Sequence, residues 1–224
     1  MAKEKVDLST IGFFSLAALP YSLKPLWAPF MDRYVPPLFG RRRGWMLLCQ
    51  IALLMSIFTI SLFSPSESLG LIAVMAVLIA FLSASQDIAV DAYRVEILEP
   101  REYGLGASLA NMGYRVSLII AGGVALILSD SMPWAQVYQI MAAMMIVGVL
   151  TTFFSREPEN ILPPKSLKDA VILPLADFFK RPAIFEIGLF IFLYKMDAVF
   201  ASALITPFLI QLGFSGTDIG SVFK

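Results

Sequence analysis

Six runs of about twenty mostly apolar residues recur along this chain, at 10–30, 45–63, 69–92, 103–128, 134–154 and 184–212, with short polar breaks between them. A run of that length can cross the hydrocarbon core of a bilayer as a helix, and lipid forces a spanning backbone to satisfy its own hydrogen bonds. The runs lack the ten-residue alternation of a membrane β-barrel. An all-α, polytopic membrane bundle of about six helices is therefore expected. Of the 224 residues, 58% are hydrophobic and 15% charged, with a mean hydropathy of +0.77, which supports that solvent. No cleavable signal peptide is visible, since Asp7, Ser9 and Thr10 interrupt the start.

Composition also excludes chemistry. There is no His, and the lone Cys49 lies within an apolar run, so disulfide frameworks, zinc sites and His-based acid–base catalysis have nothing to use. No nucleophile–base pair stands out, and the chain is not expected to be an enzyme. Equal numbers of acidic and basic residues, 17 each, give no support to nucleic-acid binding.

The basic residues fall in alternate breaks. Arg33, Arg41, Arg42 and Arg43 follow the first run, Arg94 and Arg101 the third, and Arg156, Lys165, Lys168, Lys180 and Arg181 the fifth, while SPSES and SDSMP carry none. The positive-inside rule makes the basic breaks cytoplasmic and the N-terminus external. Lys3 and Lys5 then sit on the unfavoured side, which a segment missing from the front would explain. The stretch 155–183, with Pro158, Pro163, Pro164, Pro174 and Pro182, reads as a cytoplasmic linker.

Ionisable residues inside the runs are Lys24, Asp87, Asp91, Arg115, Glu186, Lys195 and Asp197. Each costs about 2.5–3.5 kcal/mol at mid-membrane on insertion scales, so they are expected to be paired or to face a wet path. In FLSASQDIAVDAYRVEIL, the residues Ser83, Asp87, Asp91 and Arg94 fall within about 80° of one helix face. Two readings follow. Structurally, Asp91 forms a salt-bridge latch with the loop arginines; functionally, Asp87 gains and loses a proton during transport. In YGLGASLANMGYRVSLIIAGG, Gly106, Ala110, Gly113, Ser117 and Ala121 form a small-residue face suited to close helix contact, and Ser108, Asn111 and Arg115 lie opposite. Arg115 either meets a carboxylate ligand bidentately or pairs with an Asp on a neighbouring helix. Pro20, Pro25 and Pro29 around Lys24 should break the first run.

The loop APFMDRYVPPLFGRRRGW carries Asp-Arg followed by Gly-Arg-Arg-Arg and resembles the signature loop between the second and third helices of the major facilitator superfamily. It departs from that pattern in Ala28, which replaces the leading Gly, and in the five inserted residues VPPLF after Tyr34. STIGFFSL, K-x-L-W-A-P-F-M-D-R-Y-x-P-P-x-F-G-R-R-R-G-W, S-A-S-Q-D-I-x-x-D-A and G-Y-R are similar to the AmpG family of muropeptide permeases, insertion included.

That resemblance, which covers Asp7 to Glu157, implies proton-coupled import of GlcNAc-anhydro-MurNAc and its peptides across the inner membrane for peptidoglycan recycling, with a consequence for β-lactamase induction. It implies no cofactor beyond the proton motive force. Lys24, Asp32, Arg33, Gly40, Arg41, Arg42, Gln86, Asp87, Asp91, Tyr114 and Arg115 occupy the patterned positions. LYKMDAVFASALITPFLI resembles the family's seventh helix and carries over Lys195; Asp197 stands one place early and does not carry over. Lys24, Gln86, Asn111, Tyr114, Arg115 and Lys195 suit the carboxylates and hydroxyls of an anionic disaccharide-peptide. Asp87, Asp91, Asp32, Arg33, Arg41 and Arg42 are assigned to proton coupling or gating.

Against this family, the chain holds helices two to seven of about twelve. The expected organisation is a periplasmic loop remnant at 1–9, an incomplete N-terminal bundle at 10–154, the cytoplasmic linker at 155–183 and the start of a C-terminal bundle at 184–224. Such a fragment should not transport alone, and a complementary chain could supply the missing helices. The alternatives are a superfamily transporter of another anionic solute, or a membrane-embedded relic that acts only as an interaction module.

Overall fold

The computed structural model describes residues 19–64, 68–158, 162–194 and Met196. All regular structure among them is helical. The molecule divides into two compact units, Met1–Ala170 and Val171–Lys224.

The first unit opens with a broken helix. Short α1, Leu19–Leu23, runs into a 3₁₀ turn at Lys24–Leu26 and then α2, Ala28–Arg33. Pro25 has no N–H to donate, and its ring clashes with the carbonyl four residues back, so the helix restarts beyond it with Pro29 in its first turn. The break is the one expected from the three prolines. Residues 10–18 of the predicted first run lie outside the described residues.

Helix α3, Arg41–Ile60, starts at Gly40, whose φ of 80° suits only glycine, and packs between α4, Leu69–Ile97, and α7, Trp134–Phe154. Gly44 lets the preceding loop approach closely: a Cβ there would lie 2.8 Å from the Leu38 carbonyl oxygen. Met31, Met46 and Ala89 form the buried centre, with Trp27, Trp45, Ile88 and Tyr93 around it. Leu48, Ile51, Met55 and Phe58 point outward from α3, as expected of a helix with one face in lipid. Inside, Gln50 donates to the Thr152 hydroxyl at 2.9 Å and ties α3 to α7.

α5, Tyr103–Leu118, passes through a π-helical turn at Ile119–Val124, which contains Gly122 and Gly123, into α6, Ala125–Ser131. Pro133 then caps α7. α5 and its continuation behave unlike α3. No residue of α5 is buried, and beyond the turns that flank it, no described helix packs extensively on it. Of the face predicted for close contact, Gly106, Ala110, Gly113, Ser117 and Ala121, Gly106 lies tight against the Leu98 side chain just beyond α4, which leaves no room for a Cβ. A Cβ on Gly113 would meet nothing within 4 Å.

In length and composition, four helical stretches can cross a membrane: Arg41–Ile60, Gly70–Ile97, Pro100–Ser131 and Trp134–Phe154. That is four among the described residues rather than six. The first predicted run is interrupted at Pro25, and of the sixth run an apolar helix is seen at Ile184–Tyr194. The remainder of that run, apart from Met196, lies outside the described residues.

Residues 155–183, read as a linker, contain a helix of their own. α8, Leu167–Lys180, begins at Ser166, whose hydroxyl accepts from the Asp169 N–H at 3.0 Å and donates to the Asp169 carboxylate at 2.8 Å. It continues past Pro174 and closes with an Arg181–Asp177 ion pair of 2.7 Å. In the second unit, a turn with Ala183 at a φ of 61° leads to α9, Ile184–Tyr194.

Candidate functional site

The broken first helix docks on α4 through polar groups. Tyr21 and Ser83 share a hydrogen bond of 2.5 Å between their hydroxyls, the Lys24 ammonium meets the Asp87 carboxylate at 2.9 Å, and the Trp27 indole N–H donates to Ser85 at 3.1 Å. Breaking the helix at Pro25 brings Tyr21 and Lys24 to the same seam, and the Lys24 ammonium also lies 4.7 Å from the Tyr21 ring centroid. The Trp27 and Phe81 rings close the neighbouring contact at 4.9 Å. Beside them on α4, the Gln86 carbonyl oxygen Oε1 is buried and has no hydrogen-bond partner among the described residues. An orphan acceptor of this kind costs about 1–3 kcal/mol until a donor such as water or a hydroxyl reaches it.

The Lys24–Asp87 pair is only partly shielded, at 26% and 48% side-chain exposure. One hydrogen bond joins the two groups. Such a contact can be broken and remade without stranding a desolvated charge.

A second charged cluster lies where α3 begins and α4 ends. Glu96 receives Arg41 at 3.0 Å and the Arg42 Nε at 3.0 Å on both of its oxygens, with a further short contact from the Arg42 guanidinium. Arg42 also holds Asp32 at 2.7 Å, and Arg41 donates to the Asp32 carbonyl at 3.4 Å. Glu157 accepts the backbone N–H of Arg42 at 2.8 Å and of Arg43 at 2.9 Å, satisfying two of the orphan donors that begin α3. Arg43 reaches the carbonyls of Thr152 and Phe153 at the end of α7, and Tyr93 donates to the Arg156 carbonyl at 2.9 Å. Side-chain exposure falls to 7% for Arg42 and 12% for Glu96.

The arginine latch expected from the sequence therefore has Glu96 as its carboxylate, not Asp91. Asp91 is paired with Arg94 on its own helix at 3.1 Å and is two-thirds exposed. The reason is rotational. Ser85, Ala89, Tyr93 and Glu96 share a face of α4, and the burial of Ala89 turns that face toward α3. The stripe containing Ser83 and Asp87 meets the broken helix instead.

The structure places the remaining expected residues apart from this seam. Asn111, Tyr114 and Arg115 are exposed on α5, and Arg115 makes no ion pair among the described residues. Arg33 stacks over Tyr34 at 5.8 Å. Lys195 and Asp197 lie outside the described residues. Sequence reasoning missed Tyr21, Ser85 and Trp27 as partners in the seam, and Glu96 and Glu157 in the latch. Tyr21 and Lys24 are three residues apart, one helical turn, which was the available signal for a shared face. No grouping of His, Cys, Asp or Glu among the described residues could hold a metal ion.

Comparison with known proteins agrees with these features. The model of the Major Facilitator Superfamily matches residues 2–223. An anhydromuropeptide permease of Escherichia coli K12 is 46% identical over 227 residues, covering the whole of this chain and 46% of that relative. An uncharacterized protein of Haemophilus influenzae is 43% identical over 230 residues, covering all of this chain and 54% of its own length. The chain thus spans about half the length of these relatives. The similarity to muropeptide permeases read from the loop motif holds across the chain, and the family is one of membrane transporters rather than enzymes. Several long apolar helices together with this match make it a multi-pass protein of the inner membrane, in contact with lipid. The chain belongs to the major facilitator superfamily.

Proposed function

We propose that this chain serves proton-coupled import of anhydro-muropeptides, GlcNAc-anhydro-MurNAc and its peptides, from periplasm to cytoplasm for peptidoglycan recycling. The observation that carries the reading is the Lys24–Asp87 pair, partly exposed and joined by a single hydrogen bond, in a seam that also holds Tyr21 and Ser83, with the unpartnered Gln86 oxygen one residue away on α4. Its kinship to the E. coli anhydromuropeptide permease supplies the substrate class.

Protonation of Asp87 removes the charge that holds Lys24. The ammonium is then free to take a substrate carboxylate, and Gln86 Oε1 to accept from a sugar hydroxyl. Loss of the proton restores the pair and expels the anion. In this scheme Arg115, Tyr114, Asn111 and Lys195 complete the substrate contacts, Asp91 lies at the mouth of the path, and Asp32, Arg33, Arg41 and Arg42 act at the cytoplasmic gate. Residues 10–154 form the bundle around the path, and 184–224 begin the second one, with 155–183 between them.

The test is uptake of labelled GlcNAc-anhydro-MurNAc into proteoliposomes under an imposed proton gradient. The chain is reconstituted alone and together with the part of the E. coli permease that it does not match. Gradient-driven uptake that appears on adding the complementing part, and is competed by unlabelled anhydro-muropeptide, is the expected result. Uptake competed only by other anionic solutes would reassign the substrate, and no uptake in either preparation would overturn the reading.

A further inference from the structure

We infer that α8 is an in-plane membrane helix: it lies along the cytoplasmic surface of the bilayer with Val171, Leu175, Phe178 and Phe179 in the acyl boundary and Lys165 and Lys168, at its start, reaching anionic headgroups.

Three observations carry this. First, α8 has two faces. Leu167, Val171, Leu175 and Phe178 recur at helical spacing, with Ile172 and Phe179 beside them, while Asp169, Asp177 and Lys180 lie opposite. The apolar residues of that stripe are exposed, from 42% for Val171 to 66% for Phe179, far more than a water-facing helix of this length tolerates without a cover. Leu173 is the one large apolar side chain on the polar side.

Second, the chain tethers this face to the membrane. Three residues, Arg181 to Ala183, separate α8 from α9, and fully extended they reach about 10 Å. α9 opens the sixth apolar run, so the end of α8 cannot leave the headgroup region if α9 enters the bilayer. Within the second unit the two apolar surfaces are continuous: Phe178 and Phe179 line one open groove with Phe185, Leu189 and Phe192. Gly188 leaves its floor open, since a Cβ there would meet nothing within 4 Å.

Third, the charge suits a lipid surface rather than a protein groove. Lys165, Lys168, Lys180 and Arg181 stand against Asp169 and Asp177, and the two carboxylates are already engaged by Ser166 and Arg181. The lysines are left to reach outward on flexible stems, and this break is on the basic, cytoplasmic side. Lys168 falls within the apolar stripe in the first turn, between Leu175 and Phe179 in projection, where its long stem can lie along the acyl boundary while the ammonium reaches the headgroups. Lys165 stands just before it, and basic residues beside anionic lipid strengthen such a contact.

The test uses the full chain in vesicles of phosphatidylcholine with one quarter phosphatidylglycerol. Nitroxide labels are placed singly at Val171→Cys, Leu175→Cys, Phe178→Cys, Leu173→Cys and Asp177→Cys. Cys49, 2% exposed, stays in place, and a sample without added cysteine measures its background. Collisions with oxygen, which partitions into lipid, are compared with collisions with a water-soluble nickel chelate. The expected result is an oxygen-to-nickel ratio several-fold higher at 171, 175 and 178 than at 173 and 177. That contrast should shrink in pure phosphatidylcholine, and in the Lys165→Gln, Lys168→Gln double variant. Nickel access at all five positions would overturn the inference, as would protection of 171, 175 and 178 from both reagents, which would mean a protein cover. A contrast insensitive to both lipid charge and the lysines would overturn the headgroup contact.

Discussion

The two ends of the α4 polar surface carry the same kind of contact, a cation on a carboxylate, built in opposite ways. At the C-terminal end Glu96 is 12% exposed and gripped by two arginines, one of which also holds Asp32. Nearer the middle, Asp87 is 48% exposed and holds Lys24 through one hydrogen bond. Removing one member of a buried, multiply bonded pair leaves several bonds unmade around the other's charge, whereas the less shielded pair loses one. The first fastens the start of α3 to α4 and to the end of α2 through several bonds at once. The second is the contact we propose a proton or an anionic ligand opens, and Lys suits that role better than Arg because it presents a point charge without a bidentate fork.

The largest expected effect that tests this contrast is at the fastening. Glu96→Gln leaves Arg41 and Arg42 buried without their shared carboxylate and should cost about 3–5 kcal/mol. Cys49, buried in α3, reports it: its reaction with a maleimide dye on heating in detergent should begin at a clearly lower temperature. An unchanged melting curve would dissolve the distinction between the two pairs.

Gly40→Ala comes next. Its backbone φ of 80° disfavours any side chain, and a Cβ would lie 2.6 Å from the Glu157 carboxyl carbon. A loss of about 1–3 kcal/mol is expected in the same assay. Glu157→Ala, which frees two N–H groups at the start of α3, should cost about 1 kcal/mol, in the range of a lost helix cap. If Glu157→Ala costs as much as Glu96→Gln, the fastening centres on the 157 carboxylate rather than on Glu96.

The smallest stability effect belongs to the seam. Lys24→Gln and Asp87→Asn should each change the melting transition by no more than about 1 kcal/mol, because both groups retain access to solvent or polar neighbours. A loss as large as that of Glu96→Gln would make the seam a second fastening and remove its candidacy as a switch.

Much of the architecture was legible because length and apolarity decide it. The α7 boundaries, Trp134–Phe154, coincide with an apolar run, and the break at Pro25 follows from the missing N–H. The latch partner was not legible. α4 continues to Ile97, past the end of its apolar run, so Glu96 sits on helix where the sequence pattern suggested loop. Choosing among the carboxylates then depended on which face of α4 turns toward α3. That rotation is set by the burial of Ala89 against Met31 and Met46, a contact between distant segments. Lys24 and Asp87 were each singled out, for substrate and for proton, yet their pairing needed the fold that brings positions 63 residues apart together. α8 was hidden for a different reason: Pro174 and the prolines around it read as linker, yet the helix runs past Pro174 with a capped start at Ser166 and an apolar stripe along it.

The account turns on Asp87 as the proton-sensitive member of the seam. The most direct measurement compares two modes of transport by Asp87→Asn in proteoliposomes containing the complementing permease part: accumulation of labelled anhydro-muropeptide driven by a proton gradient, and exchange of labelled for unlabelled substrate without one. The account predicts that accumulation is lost while exchange persists, and that Asp91→Asn retains both. Accumulation by Asp87→Asn at the level of the unsubstituted chain would contradict it.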